Sequence, residues 1–237
     1  MVSPRINPRV AAEASVQARN PLHAKPRNQC ILISVRGKCV QHIKGIIFDL
    51  DGTLVSSSLD FNAIRRDIGC PPQQDILDYL AALPANEREQ AQALVFQHEL
   101  DDAHSSDWMP NAQSFIHQCA LAKIPMAIVT RNSAQPTHIK VTRNGIPISH
   151  VVTREQSKPK PDPSALLAIA QQFDLPSDAI MMVGDYKYDL QAGRNAGMAT
   201  CLINYQQLPD YVHLADYRFE HFGLLSDAMF NASTARF

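Results

Sequence analysis

One stretch decides the fold: Ile46-Ile47-Phe48-Asp49-Leu50-Asp51-Gly52-Thr53-Leu54. Its first three residues are apolar, rich in β-branching and too few for a helix, so they predict a strand buried on both faces. Side chains alternate along a strand, so Asp49 and Asp51 leave it on the same side, and Gly52 lets the chain turn. Two carboxylates this close favour a divalent cation, an acid–base pair, or both. The plainer alternative is an acidic turn that closes the strand.

Helix and strand patterns alternate from Asn111 to Ile203. Short apolar runs predict strands, and apolar residues at every third or fourth position predict helices. The predicted strands cover 124–129, 151–152, 179–183 and 199–203, and the predicted helices cover 111–122, 163–173 and 187–196. This alternation predicts an α/β fold, a Rossmann-like doubly wound parallel sheet with helices on both faces. Ligands of such sheets bind beyond the carboxyl ends of the strands.

The segment that follows the carboxylate turn has helical patterns and no strand pattern. Pro84 interrupts these patterns, and Asn86 is expected to cap the helix that follows. We therefore predict a small α-helical cap over residues 59–108. The cap would be inserted into a catalytic core formed by residues 43–58 and 109–237.

Residues 1–42 differ from the rest of the chain in charge. They contain one acidic residue, Glu13, and the following basic residues: Arg5, Arg9, Arg19, Lys25, Arg27, Arg36 and Lys38. This composition, with little hydrophobic periodicity, predicts a disordered leader. We expect a cytoplasmic location. Organelle transit peptides have a composition similar to that of this leader, so an organelle is the alternative location.

The whole-chain composition excludes several classes of partner. A net charge of -1 over 237 residues gives no reason to expect nucleic acid or an anionic membrane as partner. No apolar run reaches the roughly 18 residues that a transmembrane helix needs. The five cysteines are scattered and form no C-x-x-C pair, which favours a reducing compartment. The sequence gives no indication of the oligomeric state.

A second acidic segment follows the predicted strand over 179–183. It is Gly184-Asp185-Tyr186-Lys187-Tyr188-Asp189, and it contributes two further carboxylates. Mg2+ prefers oxygen ligands, so Asp49, the carbonyl of Asp51 and Asp185 are candidates to hold it. Asp189 lies early in a predicted helix and is either a fourth ligand or a residue that complements the helix dipole.

Binding of a phosphate by so acidic a site requires cations and hydrogen-bond donors. The segment Lys158-Pro159-Lys160-Pro161 offers two lysines in a loop that prolines stiffen. Thr130 follows a predicted strand and can donate its hydroxyl to a phosphoryl oxygen. We assign phosphate binding to one loop lysine and to the segment Thr130-Arg131-Asn132.

These motifs, in this order, resemble the four motifs of the haloacid dehalogenase superfamily of hydrolases. They most resemble the phosphoglycolate-phosphatase-like members, whose small helical cap lies between the first and second motifs. The resemblance implies that Asp49 is the nucleophile and that Asp51 is the general acid and later the base. It also implies that Thr130 and the lysine hold the phosphoryl oxygens, with Asp185 on Mg2+. The lysine pattern fits Lys158 and Lys160, and Lys160 lies at the family's usual distance from the following helix.

The resemblance thus implies a Mg2+-dependent phosphatase that hydrolyses a small phosphomonoester metabolite through an aspartyl-phosphate intermediate. A phosphomutase acting on a sugar phosphate would use the same nucleophile, and a catalytically silent phosphate-binding domain is a third reading. A carboxylate at position 51 argues against carbon–halogen cleavage. Trp108 and Tyr186 are expected near the mouth of the site, where they either contact substrate or pack. The sequence does not identify the leaving group.

Overall fold

The structure, a computed structural model, describes residues 40–231. The predicted leader lies outside the described residues apart from Val40–His42. These three residues form a short 3-10 helix, and Val40 is fully buried in the main core. The side-chain amide of Gln41 donates to the carbonyl of Ala228, 3.2 Å away. The folded part therefore includes these residues, because burial of Val40 adds their turn to the core.

The predicted alternation of strands and helices is present in the described residues. The strands are β1 (Gly45–Phe48), β2 (Met126–Val129), β3 (Val151–Val152), β4 (Ile180–Gly184), β5 (Ala199–Ile203) and β6 (Tyr217–Phe219). The α-helices are α1 (Phe61–Ile68), α2 (Ile76–Ala82), α3 (Ala85–Ala103), α4 (Ala112–Leu121), α5 (Ala134–Arg143), α6 (Ser164–Phe173), α7 (Lys187–Asn195) and α8 (Phe222–Ser226).

The strands form one parallel sheet in the order β3-β2-β1-β4-β5-β6. Strand β1 lies in the centre, between β2 and β4, and the order of the strands reverses at this point. Parallel sheets of this kind bind ligands at such a reversal, beyond the carboxyl ends of the strands. The predicted α/β, Rossmann-like doubly wound fold is confirmed.

Strand β1 is buried on both faces, as its apolar composition predicts. Ile46 and Phe48 belong to the core on one face of the sheet, which also contains residues of α4 and α8. Ile47 points to the other face and belongs to a second core with residues of α6 and α7. Successive side chains of a strand face opposite sides, so this central strand anchors both helical layers.

Helices α1, α2 and α3 follow β1 and precede β2. They share a separate hydrophobic cluster that contains Ile64, Ile76 and Val95. The carboxylates of Asp60 and Asp75 accept hydrogen bonds from the first backbone N–H groups of α1 and α2. The helical character of this segment is as predicted, while the domain limits drawn at 59–108 stay a prediction.

The predicted cap of α3 is wrong. The helix begins at Ala85 and Pro84 occupies the capping position, so Asn86 lies inside the first turn. The carbonyl of Pro84 already accepts a 2.8 Å hydrogen bond from the N–H of Arg88. The carbonyl of an N-cap residue accepts the first intrahelical bond whatever its side chain, and α3 starts without a side-chain cap.

Helix α5, strand β6 and helix α8 had no predicted counterpart. Helix α5 contains Pro136, and the residues it buries include the polar Thr137 and Lys140. Hydrophobic periodicity does not detect a helix whose buried face is partly polar. Within the described part of the chain, no helix combines the length and apolar composition that crossing a bilayer requires.

Candidate active site

Three carboxylates meet at the carboxyl ends of β1 and β4. Asp49 follows β1 directly, and its N–H donates to the carbonyl of Val183 in the adjacent β4. Asp185 follows β4, and Asp189 lies in the first turn of α7. Oxygen atoms of Asp49, Asp185 and Asp189 all lie within 4.8 Å of one another. The sheet thus brings together acids that are more than a hundred residues apart in the sequence.

The glycine turn allows this approach. Gly52 has φ +71°, and a Cβ atom at this position would lie 2.8 Å from Cγ of Asp185. The hydroxyl of Thr53 donates to Oδ1 of Asp185 across 2.8 Å. The amide of Asn204 donates to the carbonyls of Gly52 and Thr53, each 2.9 Å away. Only a residue without a side chain lets the turn pack this closely on Asp185.

Asp189 lies at the start of α7, as one of its two sequence-based alternatives predicts, and its role as a metal ligand stays a prediction. Its Oδ2 atom accepts a 3.0 Å hydrogen bond from the N–H of Tyr186, so it caps the start of α7. Its Oδ1 atom lies 2.6 Å from Nζ of Lys160. The residue is therefore a helix cap and also a member of the carboxylate cluster.

Lys160 is the loop lysine that faces the cluster. Its Nζ atom lies 2.6 Å from Asp49 and 2.6 Å from Asp189, and 2% of its side chain is exposed. Lys158, by contrast, is exposed. Burial acts to lower the pKa of Lys160, but the charges of Asp189 and Asp49 outweigh it and the net pKa is raised. Lys160 thus stays cationic beside Asp49.

Burial also raises the pKa values of Asp185 and Asp189. The pKa of Asp185 rises to about 8 because of burial first and then repulsion from Asp49 and Asp189. The pKa of Asp189 rises to about 6, mainly through burial, although Lys160 opposes the shift. With a pKa of about 8, Asp185 holds a proton at neutral pH unless a cation replaces it. Three carboxylates and no nitrogen or sulfur ligand fit a hard dication such as Mg2+.

Asp51 lies apart from this cluster in its hydrogen bonding. One of its carboxylate oxygens accepts from Nζ of Lys140, and the other accepts from the side-chain amide of Asn132. Burial raises the pKa of Asp51 to about 6, against the opposing charge of Lys140. Its side chain is therefore held by protein donors, and the carbonyl of Asp51 as a metal ligand stays a prediction.

Thr130 and Arg131 of the predicted phosphate-binding segment contact different parts of the protein. Thr130 is buried, and its Oγ1 atom accepts a 3.1 Å hydrogen bond from the N–H of Asn132. Arg131 turns toward the helical segment, where one of its NH2 groups lies 2.7 Å from both oxygens of Asp75. It also donates to the carbonyl of Lys160 across 2.6 Å and lies 4.4 Å from the ring centre of Tyr188. Arg131 therefore links α2 to the core, and its role in binding phosphate stays a prediction.

A cavity of about 580 Å³ opens above these residues. Residues of the helical segment such as Arg65, Asp75 and Ile76 line one side, and Asp49, Lys160 and other residues after the strands line the opposite side. Tyr186 also lines the cavity, as expected. Trp108 instead donates its indole N–H to the carbonyl of Asn144 and packs against the main core. A cavity of this size holds a small molecule.

The sequence patterns did not indicate Lys140 or Asp102. Lys140 is fully buried on α5, and its Nζ atom lies 2.6 Å from Oδ2 of Asp102 on α3 as well as contacting Asp51. The spacing of Ser133, Thr137 and Lys140 in the sequence is that of one helix face, and all three residues are buried in the structure. Their polar character concealed this pattern, since apolar periodicity does not register buried polar residues.

The fold and the site together define a class of protein. It is a parallel α/β protein with a buried carboxylate cluster, an adjacent lysine and an α-helical segment over the cavity. The family model described as haloacid dehalogenase-like hydrolase matches residues 58–203. An uncharacterised hydrolase of Saccharomyces cerevisiae is 30% identical over 210 residues, which cover 84% of this chain and 96% of the yeast protein. The chain therefore belongs to the haloacid dehalogenase-like hydrolase family.

Two further similarities agree with this assignment. A phosphoglycolate phosphatase of Vibrio cholerae is 27% identical over 187 residues, which cover 67% of this chain and 83% of that enzyme. The crystal structure of a hydrolase from Pseudomonas syringae superposes with a TM-score of 0.67 at 19% identity, covering 81% of this chain and 100% of that one. The structural likeness concerns the fold.

Proposed function

We propose that the chain is a Mg2+-dependent phosphatase that hydrolyses a small phosphomonoester through a phosphorylated Asp49. The observation that carries the proposal is the meeting of Asp49, Lys160 and two further carboxylates at the floor of one cavity. The family assignment and the name of the Vibrio cholerae relative support phosphate ester chemistry.

The nucleophile is Asp49. Its Oδ1 atom is bonded to Lys160, whereas no donor among residues 40–231 contacts its Oδ2 atom. That oxygen attacks phosphorus, a bond forms between them, and the bond from phosphorus to the leaving oxygen breaks. Lys160 and the hydroxyl of Thr130 are the groups we assign to the phosphoryl oxygens, whose charge they stabilise.

Asp51 handles the proton in both halves of the reaction. It gives a proton to the leaving oxygen in the first half. In the second half it takes a proton from the water that attacks the phosphorylated Asp49, which releases inorganic phosphate and restores both carboxyl groups. A pKa raised to about 6 supports this use, because Asp51 then exchanges protons close to neutral pH.

The metal site we propose consists of Asp49, Asp185 and the carbonyl of Asp51, with Asp189 as an additional candidate. Bound there, Mg2+ would neutralise negative charge next to the transferred phosphoryl group. The hydrogen bonds from Thr53 to Asp185 and from Tyr186 to Asp189 orient these carboxylates in advance.

The proposed substrate is a small phosphorylated metabolite. The cavity of about 580 Å³ is enclosed in part by the helical segment, for which we keep the limits 59–108. Arg131 and Asp75 bridge the two sides of the cavity. A substrate that fits in the cavity, between the helical segment and the residues after the strands, would be shielded from water when the phosphoryl group is transferred.

The test is release of inorganic phosphate from a panel of small phosphomonoesters, with and without Mg2+. We expect metal-dependent release by the native protein and a loss of about four orders of magnitude or more in Asp49→Asn, by analogy with other lost nucleophiles. Equal, metal-dependent rates for the two proteins would refute the proposal. If sugar phosphates yield an isomer in place of free phosphate, the protein is a phosphomutase.

A further inference from the structure

Lys140 links the proposed general acid to the helical segment over the cavity. Its side chain is fully buried, and its Nζ atom contacts Oδ1 of Asp51 and lies 2.6 Å from Oδ2 of Asp102. A buried ammonium group is stable only when carboxylates or other acceptors surround it. Lys140 therefore has a fixed position between a residue of the carboxylate turn and a residue of α3.

Asp102 is itself fixed by the chain that leads into the helical segment. It accepts hydrogen bonds from the hydroxyl of Ser57 at 3.0 Å and from the N–H and hydroxyl of Ser58 at 2.5 and 2.9 Å. The chain segments that enter and leave the helical segment also contact each other, because the N–H of Asp107 donates to the hydroxyl of Ser56. Asp102 thus lies where the two connections between the helices and the core meet.

The orientation of Asp51 depends on this arrangement. Both of its oxygens are bonded to donors that follow β2 in the sequence, Nζ of Lys140 and the amide of Asn132. Without the ammonium group, one oxygen of a largely buried carboxylate loses its donor, and the carboxylate can rotate away. A proton donor acts only within about 2.6–3.2 Å of the atom that receives the proton, so rotation removes its effect.

We propose that Lys140 is a positioning residue that aims Asp51 at the leaving oxygen, and that Asp102 holds Lys140 in place from α3. This inference rests on the proposed phosphatase function. Since Lys140 is fully buried, it does not touch the substrate and acts through Asp51 alone. Its loss should therefore slow the departure of a leaving oxygen that needs a proton, which lowers kcat/KM for substrates of that kind.

The dependence of the rate on the leaving group separates positioning from general stability. Phenyl phosphate and p-nitrophenyl phosphate have similar shapes, but phenolate is much more basic than p-nitrophenolate. Phenolate therefore needs a proton as it leaves, and p-nitrophenolate does not. The parameter to compare is kcat/KM, which reports the steps up to release of the leaving group. A protein that is merely less stable loses kcat/KM on both substrates in equal proportion, whereas one with a misaligned acid loses more on phenyl phosphate.

The experiment compares kcat and KM for both substrates in the presence of Mg2+, with folding checked by circular dichroism. In Lys140→Met we expect kcat/KM for phenyl phosphate to fall about 100-fold, the lower end of general acid catalysis, and kcat/KM for p-nitrophenyl phosphate to fall far less, which changes the ratio of the two values. Asp102→Asn should change the ratio in the same direction by a smaller factor. If Lys140→Met does not fold, the result for Asp102→Asn alone tests the proposal.

Asn144→Ala is the matched control. Asn144 lies one turn beyond Lys140 and donates to Ser106, so the change removes a polar contact with the same neighbouring segment without touching Asp51. Its substrate ratio should equal that of the native protein. The proposal is overturned if the ratio is also native in Lys140→Met and Asp102→Asn. If the native protein releases phosphate from neither substrate, the proposed function fails instead.

Discussion

The Nζ atom of Lys160 lies 2.6 Å from Oδ1 of Asp49, although 111 residues separate the two in the chain. Lys158, two positions earlier, is exposed. The backbone that carries Lys160 is held by Arg131, which donates to its carbonyl. The ion pair between Lys160 and Asp49 is thus a product of the tertiary fold and distinguishes two lysines that the sequence presents as equivalent.

Replacing each lysine by methionine tests this distinction. Lys160→Met removes the cation beside the proposed nucleophile, and we expect a loss of kcat of about 10²- to 10³-fold, as for other electrostatic stabilisers. It also leaves buried acids without their partner, and breaking such a pair costs about 3–5 kcal/mol. Lys158→Met serves as the control and should retain native phosphate release and native thermal stability. Equal effects of the two changes would contradict the assignment.

The response of the protein to Mg2+ should depend on pH. The folded pKa of Asp185 is about 8 against an ordinary value of 3.8, so between these values the metal-free folded state binds a proton that the unfolded state has lost. The free energy of unfolding of the metal-free protein therefore falls as pH rises through this window. A dication replaces the proton and relieves the repulsion.

We accordingly expect Mg2+ to raise Tm more at pH 8 than at pH 6, as measured by differential scanning calorimetry. In Asp185→Asn the Mg2+-induced rise should be small at both pH values. A rise that is the same at the two pH values, or larger at pH 6, would argue against a metal at this cluster.

Two glycines with positive φ offer a test of the turn. Gly145 has φ +58°, and apart from Gly145 and its chain neighbours no atom of residues 40–231 lies within 4 Å of the position that an added Cβ would take. Gly145→Ala should therefore cost only about 1–2 kcal/mol for the left-handed backbone. Gly52→Ala adds a clash with Asp185 and should lower the free energy of unfolding further. Chemical denaturation measures both. The variant Gly52→Ala should also lose the Mg2+-induced rise in Tm, while Gly145→Ala should keep it.

The contact between Arg131 and Asp75 joins α2 to the core and has a measurable coupling. We expect Arg131→Met, Asp75→Asn and the double variant to show a coupling energy within about 0.5–3 kcal/mol in unfolding, the usual range for residues in contact. Inhibition by inorganic phosphate should weaken equally in the two single variants if Arg131 acts through Asp75. Weaker inhibition in Arg131→Met alone would show that Arg131 binds the phosphate itself.

Local patterns sufficed for strands β1 to β5 and for the acids that follow β1 and β4. Ile46, Ile47 and Phe48 are apolar because β1 is buried on both faces, and Asp49 and Asp185 follow directly from the ends of adjacent strands. The rule that ligands bind beyond the carboxyl ends of parallel strands then predicts their meeting. No knowledge of distant partners was needed for this part of the site.

The parts that the sequence did not reveal depend on polar contacts between distant segments. Nothing in the sequence distinguishes Lys140 from a surface lysine, because its buried partner Asp102 lies on α3, far away in the chain. The ion pair of Arg131 with Asp75, the residue before α2, also has no counterpart in the sequence patterns. A charge that is buried by pairing leaves no hydrophobic pattern in the sequence, so only the tertiary structure identifies its partner.

The central claim is that Asp49 becomes phosphorylated during turnover, and peptide mass spectrometry after rapid acid quenching tests it most directly. Asp51→Asn lacks the proposed base for the second half of the reaction, so with p-nitrophenyl phosphate and Mg2+ the intermediate should accumulate. We predict one phosphoryl group on the peptide that contains Asp49, at that residue, and none in a variant that also carries Asp49→Asn. Release of p-nitrophenolate by the native protein without a phosphoryl group on Asp49 of the Asp51→Asn variant, together with activity in Asp49→Asn, would contradict the account.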